Sequence, residues 1–143
     1  MMSDIEQLFV EGDFALKEAK SKFYLNKEEH CTAICSSCNA VKRYLDAYEK
    51  FLFEAVTPSE NYHVLLHMIV QKDPKFKRFT GKIFEVKCFA EESKREGERF
   101  FLYADEMDEV LKIILELRTY IGSRVKLHKN FMEEYTETSF MTT

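Results

Sequence analysis

The feature that most constrains this chain is one uninterrupted stretch, NKEEHCTAICSSCNAVKRYLDAYEKFLFEAV, from Asn26 to Val56. Cys31, Cys35, Cys38, Val41, Leu45, Tyr48 and Leu52 recur at steps of three and four. That spacing puts them on one face of a helix. Ala33, Ile34, Ala40, Ala47 and Phe51 widen the face, and neither Gly nor Pro interrupts it. A helix with so broad an apolar stripe belongs at the centre of a bundle, with other helices covering it.

The flanking segments supply those helices. Ser3 and Glu6 have the spacing of a capping box, and Ile5, Leu8, Phe9, Leu16, Ala19 and Phe23 form an inward stripe up to Leu25. Gly12 lies on the same stripe, where a missing side chain lets another helix come close. Asn26, with Glu29 three residues on, is expected to cap the central helix. The first two helices should therefore form a tight antiparallel hairpin. Thr57-Pro58-Ser59-Glu60-Asn61 breaks the chain. A short helix is expected over Tyr62 to Val70, with Val64, Leu65, Met68 and Ile69 inward. Asp73-Pro74 reads as a helix start, opening a segment through Phe76 and Phe79 to Ser93. Ile83, Val86, Phe89 and Ala90 keep the helical spacing there. Lys94 to Arg99 reads as a charged loop, and Phe100 to Tyr103 as an aromatic plug. Asp105 is the expected cap of a last helix from Glu106 to about Phe131, striped by Met107, Val110, Leu111, Ile114, Leu117 and Ile121. The fold class is all-α, an up-and-down four- to five-helix bundle. Residues 1–135 make a single domain, and 136–143 are expected to be a mobile tail.

The chain's 143 residues suit one core. Four Gly and two Pro are too few for a turn-rich β-sandwich. A net charge of −4 argues against a generic grip on nucleic acid. The N-terminus carries acidic residues where a secretory signal needs basic ones, and no apolar run approaches the ~20 residues that span a bilayer. The expected location is cytoplasmic, away from membranes, with thiols reduced.

Several strings could carry chemistry. Cys31, Cys35 and Cys38 have the C-x3-C-x2-C spacing that holds an iron–sulfur cluster in radical enzymes. That motif needs a loop after a strand in a longer α/β chain. Within a helix, core packing is the better reading, and no metal or cofactor is expected. Cys88 is isolated and expected in the core. His63 and His67 share a helical face, yet the string HVLLH lacks the carboxylate of a zinc hydrolase. Lys75, Lys77, Arg78, Lys82 and Lys87 interleave with Phe76 and Phe79. Such a pattern grips single-stranded nucleic acid or, more simply, is a solvated face with its phenylalanines inward.

The order of these segments, from about Ala15 to Ile121, resembles the HEPN domain, a helical bundle of toxin–antitoxin and nucleotidyltransferase-partner proteins. Cys35 to Leu52 is similar to the family's A-x-x-x-x-x-A-x-E-x-x-x-K-A-x-L helix, and Asn61-Tyr62-His63-Val64-Leu65-Leu66 to its T-H-x-L-x-x-L string. The stretch from Asp73-Pro74 to the loop at Arg95–Phe101 resembles the approach to the family's last helix. The family's Glu and Lys of helix two align with Lys42 and Asp46, so the charge pair is kept with its signs exchanged. Ribonuclease members carry R-x4-6-H ahead of the last helix, and no His lies between His67 and His128 here. The resemblance therefore implies a non-catalytic module: a homodimer that binds a nucleotide or RNA near Arg95, Arg99, His63 and Tyr103, or partners a nucleotidyltransferase. One alternative is a degenerate ribonuclease using Arg124 and His128. Another is a structural bundle that binds protein.

Overall fold

A computed structural model describes residues 2–56 and 62–125. Five α-helices and no strand lie among the described residues: α1 (Asp4–Leu25), α2 (His30–Phe53), α3 (Tyr62–Lys72), α4 (Lys77–Glu96) and α5 (Ala104–Val125). The protein is an all-α helical bundle. None of these helices is long and apolar enough to cross a membrane. The expected tail at 136–143 and the break at 57–61 lie outside the described residues.

α2 touches every other helix. Cross-contacts fix the directions. Tyr44 meets Asp13 on α1, and Cys31 and Cys35 meet Ser93 near the end of α4. Tyr48 packs on Phe76, just ahead of α4, and on Tyr120 of α5. So α1, α2, α4 and α5 alternate up and down, and α3 is added beside α2 and α4. Gly12 permits Tyr44 of α2 to pack directly on α1: a Cβ there would lie 2.6 Å from Cε1 of Tyr44.

Local sequence explains most ends. Ser3 and Glu6 form the expected capping box, each accepting the other's backbone N–H. Asn26 makes no side-chain cap; a 3-10 turn, Lys27–Glu29, intervenes and α2 begins at His30. α4 runs on through Lys94, Arg95 and Glu96, where a loop was expected, and stops at Gly97 with φ of 59°. That left-handed backbone suits glycine, which places the true stop three residues later than charge alone suggested. Asp105 is not the cap of α5, which starts at Ala104; Glu106 instead accepts the Tyr103 N–H at 2.9 Å.

The core follows the stripes with exceptions. Phe76, Phe79, Ile83, Val86, Met107, Val110, Leu111 and Ile114 are buried, as are Phe100 and Leu102 of the plug. Val64 is 53% exposed and Leu66 is buried in its place. In a helix as apolar as YHVLLHMIV, periodicity does not choose the face. Phe51 is also exposed. The cysteines are less buried than expected: Cys31, Cys35 and Cys38 are intermediate and Cys88 is exposed.

Three polar ties cross the interior. Asp13 and Arg118, each 1% exposed, form a two-pronged ion pair, with Nε–Oδ1 at 2.7 Å and Nη2–Oδ2 at 3.1 Å. The Tyr44 hydroxyl donates to the same carboxylate. Asp73 accepts the hydroxyls of Tyr48 and Tyr120, both at 2.5 Å. His30 accepts the Leu102 N–H at Nδ1 at 3.2 Å and stacks on Phe23, with ring centres 4.3 Å apart. Burial lowers its pKa and keeps the ring neutral, as an accepting Nδ1 requires. Among the described residues no buried side-chain N or O lacks a hydrogen-bond partner.

Candidate functional site

Chemically capable side chains converge where α2, α3 and α4 meet. A pocket of about 260 Å³ is lined there by Cys35, Cys38, Asn39 and Lys42 of α2, Tyr62 of α3, and Lys87, Ala90, Glu91 and Lys94 of α4. The helical repeat explains the set. Positions 35, 38, 39 and 42 share one face of α2, and 87, 90, 91 and 94 share one face of α4. Tyr62 closes one wall as the first residue of α3.

Three lysines face one carboxylate, so the lining favours an anion. Lys42 pairs with Asp46 one turn on, the reversed charge pair read from the sequence. Burial raises the Asp46 pKa even so, against the pull of Lys42. The Lys87 ammonium lies 4.4 Å from the centre of the Tyr62 ring, in cation–π geometry. The Tyr62 hydroxyl lies 3.7 Å from the Cys38 sulfur.

Cys31 and Cys35 both meet Ser93, and Cys38 meets Tyr62. Cys31 donates to the Ser93 carbonyl at 3.5 Å, and Cys35 lies 3.8 Å from the Ser93 hydroxyl. Burial pushes the Cys38 thiol up, and the Tyr62 hydroxyl, Lys87 and Lys94 pull it down without prevailing. A raised thiol is the wrong state for a nucleophile, which must be a thiolate. Among the described residues no group of three or more His, Cys, Asp or Glu is placed to hold a metal ion.

Cys35 and Cys38 line this pocket, but the nucleotide-binding residues expected from the sequence fall beside it. His63 follows Tyr62 but is exposed and packs on Phe84 at 4.5 Å, in the first half of α4. Arg95 follows Lys94 on α4, turned about 100° away. Arg95 and Arg99 are exposed at the end of α4 and in the following turn, and Tyr103 packs edge-on against Phe101 at 5.1 Å. His63 therefore sits apart from the other three, at a different level of α4. Of the basic cluster, Lys87 alone lines the pocket. His67 is exposed like His63.

Arg124 belongs to the Asp73 cluster. Its Nε donates to the Tyr48 hydroxyl at 3.3 Å and lies 3.9 Å from Asp73 Oδ2. Burial would raise the Asp73 pKa, but the hydroxyls of Tyr120 and Tyr48 and the charge of Arg124 hold it below its ordinary value. A guanidinium engaged this way braces α5 against α2 and the α3–α4 turn. His128, its suggested partner, lies outside the described residues.

Comparison with protein-family models, with curated proteins and with solved structures returns no match.

Proposed function

We propose that this chain is a non-catalytic HEPN-like binding module that holds the phosphate end of a nucleotide in the α2–α3–α4 pocket and serves as an accessory partner of a nucleotidyltransferase. The observation that carries the reading is the convergence of Lys42, Lys87 and Lys94 on one half-enclosed pocket with hydrogen-bonding groups at Asn39 and Tyr62. Lys87 and Lys94 add positive charge beside Lys42, which is already paired with Asp46, while the amide and phenol add directional contacts. A volume of about 260 Å³ is small for a whole nucleotide, so the base and sugar extend over the rim. The helix order supports the family assignment, and the Lys42–Asp46 pair departs from the family's in the order of its signs. The raised Cys38 thiol and the braced Arg124 favour binding over catalysis.

Thermal denaturation with AMP, ADP, ATP and inorganic phosphate tests this. A ligand that binds only the folded state raises the melting temperature, by about 2.7 kcal/mol of stabilisation at a hundredfold excess over Kd. At least one nucleotide should give a clear rise, and Lys87→Gln with Lys94→Gln should abolish it. Arg95→Ala with Arg99→Ala should leave it intact. The reverse pattern would move the site to the turn after α4, and no shift with any nucleotide would defeat the reading.

A further inference from the structure

The groove between α4 and α5, of about 590 Å³, joins an apolar floor to walls of a single charge sign. Val110 and Ile113 are buried in the floor, and the half-buried rings of Phe84 and Phe89 flank them. Glu85 and Glu92 stand on the α4 wall, and Asp105, Glu106 and Glu109 on the α5 wall. No Lys, Arg or His is among the described residues that line it. Asp105 and Glu106 are engaged at the start of α5, where they accept the Glu106 and Tyr103 N–H groups. Glu85, Glu92 and Glu109 have no hydrogen bond or ion pair among the described residues. The helical repeat makes this surface continuous. Its α4 side runs roughly 16 Å from Gly81 to Glu92 along one face of the helix. Gly81 leaves a notch at one end, with nothing within 4 Å of where its Cβ would stand.

We infer that this groove seats a basic amphipathic helix of a partner protein. This is independent of the ligand-binding reading, because no residue of the α2–α3–α4 pocket lines the groove. Charge complementarity selects the partner. Lys or Arg on the flanks of the incoming helix would meet Glu85, Glu92 and Glu109, which have no counter-charge within the described residues. Nucleic acid and an anionic lipid surface bring negative charge and are repelled. A second copy docked groove to groove would set carboxylates against carboxylates. The backbone selects a helix. α4 and α5 use their own N–H and C=O groups internally, so an extended segment would find no backbone partner on this floor. A helix arrives with those groups satisfied, and its apolar stripe lies between α4 and α5 as one more member of the bundle. Anchors at i, i+4 and i+7 fit within the length of the floor, and the Gly81 notch admits the bulkiest of them. The apolar floor supplies the burial, and the acidic walls fix which helices are accepted.

Fluorescence anisotropy of the full chain with labelled synthetic peptides of about four helical turns tests this. One peptide carries Leu at i, i+4 and i+7 with Lys on the flanks. In a second, Glu replaces every Lys, and in a third, Ser replaces every Leu. Saturable binding is expected of the first alone. Glu85→Lys with Glu92→Lys should weaken it about tenfold or more. Glu18→Lys with Glu28→Lys, at exposed positions away from the groove, changes the net charge equally and should leave affinity within about twofold. Both variants should keep the wild-type circular dichroism. The bound peptide should slow maleimide alkylation of Cys88, exposed in the groove, and leave that of the part-buried Cys31, Cys35 and Cys38 unchanged. Equal loss in the two charge variants would reduce the attraction to net charge and overturn the proposal. So would an absence of binding at hundreds of micromolar, or an unprotected Cys88. Protection of Cys88 that grows with protein concentration in the absence of peptide would give the groove to a second copy. Protection by benzyltrimethylammonium but not by the Leu/Lys peptide would give it to a small apolar cation. Either result overturns the helix.

Discussion

Replacing Arg118 with Met should destabilise the bundle more than any substitution on its surface. Arg118 and Asp13 are each 1% exposed and joined by two hydrogen bonds, at 2.7 and 3.1 Å. Methionine fills much of the side-chain volume, so little of the cost arises from a cavity. The cost comes from Asp13, left in the interior with the Tyr44 hydroxyl as its one remaining partner in the cluster. Breaking one side of a buried pair typically costs about 3–5 kcal/mol. A domain's whole stability is about 5–15 kcal/mol. At about 2–4 °C per kcal/mol for a chain of this size, the melting temperature should fall by roughly 6–20 °C. Urea denaturation followed by circular dichroism should show a lower midpoint with an unchanged slope. The companion variant Asp13→Leu/Tyr44→Phe/Arg118→Met removes every member of the cluster and should recover most of the loss, because an apolar replacement of a buried pair is often neutral. If Arg118→Met lies within about 1 kcal/mol of wild type, or the triple variant is worse than the single, the uncompensated charge is not the source of the cost.

Two glycines should respond oppositely to alanine. Gly12→Ala drives a methyl against the Tyr44 ring, 2.6 Å from Cε1, and should cost about 1–3 kcal/mol in chemical denaturation. Gly81→Ala meets nothing and should gain about 0.5–1 kcal/mol by restoring helix propensity in α4; a loss there would contradict the open geometry. Asp73 titrates below its usual value of 3.8 in the folded state, so its contribution is complete above that value and is lost as pH falls through the lowered one. Tyr48→Phe with Tyr120→Phe removes two of the groups that depress it and should flatten the acid side of the stability profile; an unchanged profile would mean the hydroxyls do not hold that carboxyl down.

The central helix was legible because its signal is redundant. Val41, Leu45 and Tyr48 each repeat the same face, and no breaker interrupts them. The capping box at Ser3 and Glu6 was legible because both partners lie within one turn. The buried ion pair was missed, although its two halves stood in view. Asp13 occupies the stripe position four after Phe9, and Arg118 the position four after Ile114. A charge on an apolar stripe is a usable signal, but pairing the two needs the α1–α5 adjacency, which no local pattern contains. The pocket was missed by one residue on each side for a different reason. A loop placed at Lys94 hides that position 94 follows 87 and 91 on one helical face, so the arginine next to it drew attention instead. With α4 continued to Glu96, the register puts Lys94 in the lining. Cys88 was misplaced because an isolated cysteine carries no periodic information, while the buried positions 83, 86 and 90 leave 88 facing out.

The interior ties are spread unevenly around α2, and this bears on where a ligand can act. Toward α1, α5 and the turn that starts α4, α2 is held by an ion-paired carboxylate at Tyr44 and by the Asp73 cluster at Tyr48. Its start is held by His30 beneath Leu102. Near the end of α4, α2 meets Ser93 through thiol contacts of 3.5 and 3.8 Å. Sulfur contacts of this kind are weak compared with a charge-assisted pair. The two sides of α2 therefore differ in what a small displacement costs. Shifting α5 or the start of α4 would break charge-assisted bonds, whereas a shift at the Ser93 end of α4 slides soft, polarisable groups past each other. The pocket sits on the second side. The cysteines on this seam, which as a string suggested a metal site, pack in the fold as part-buried thiols beside the lysines that would meet an anion.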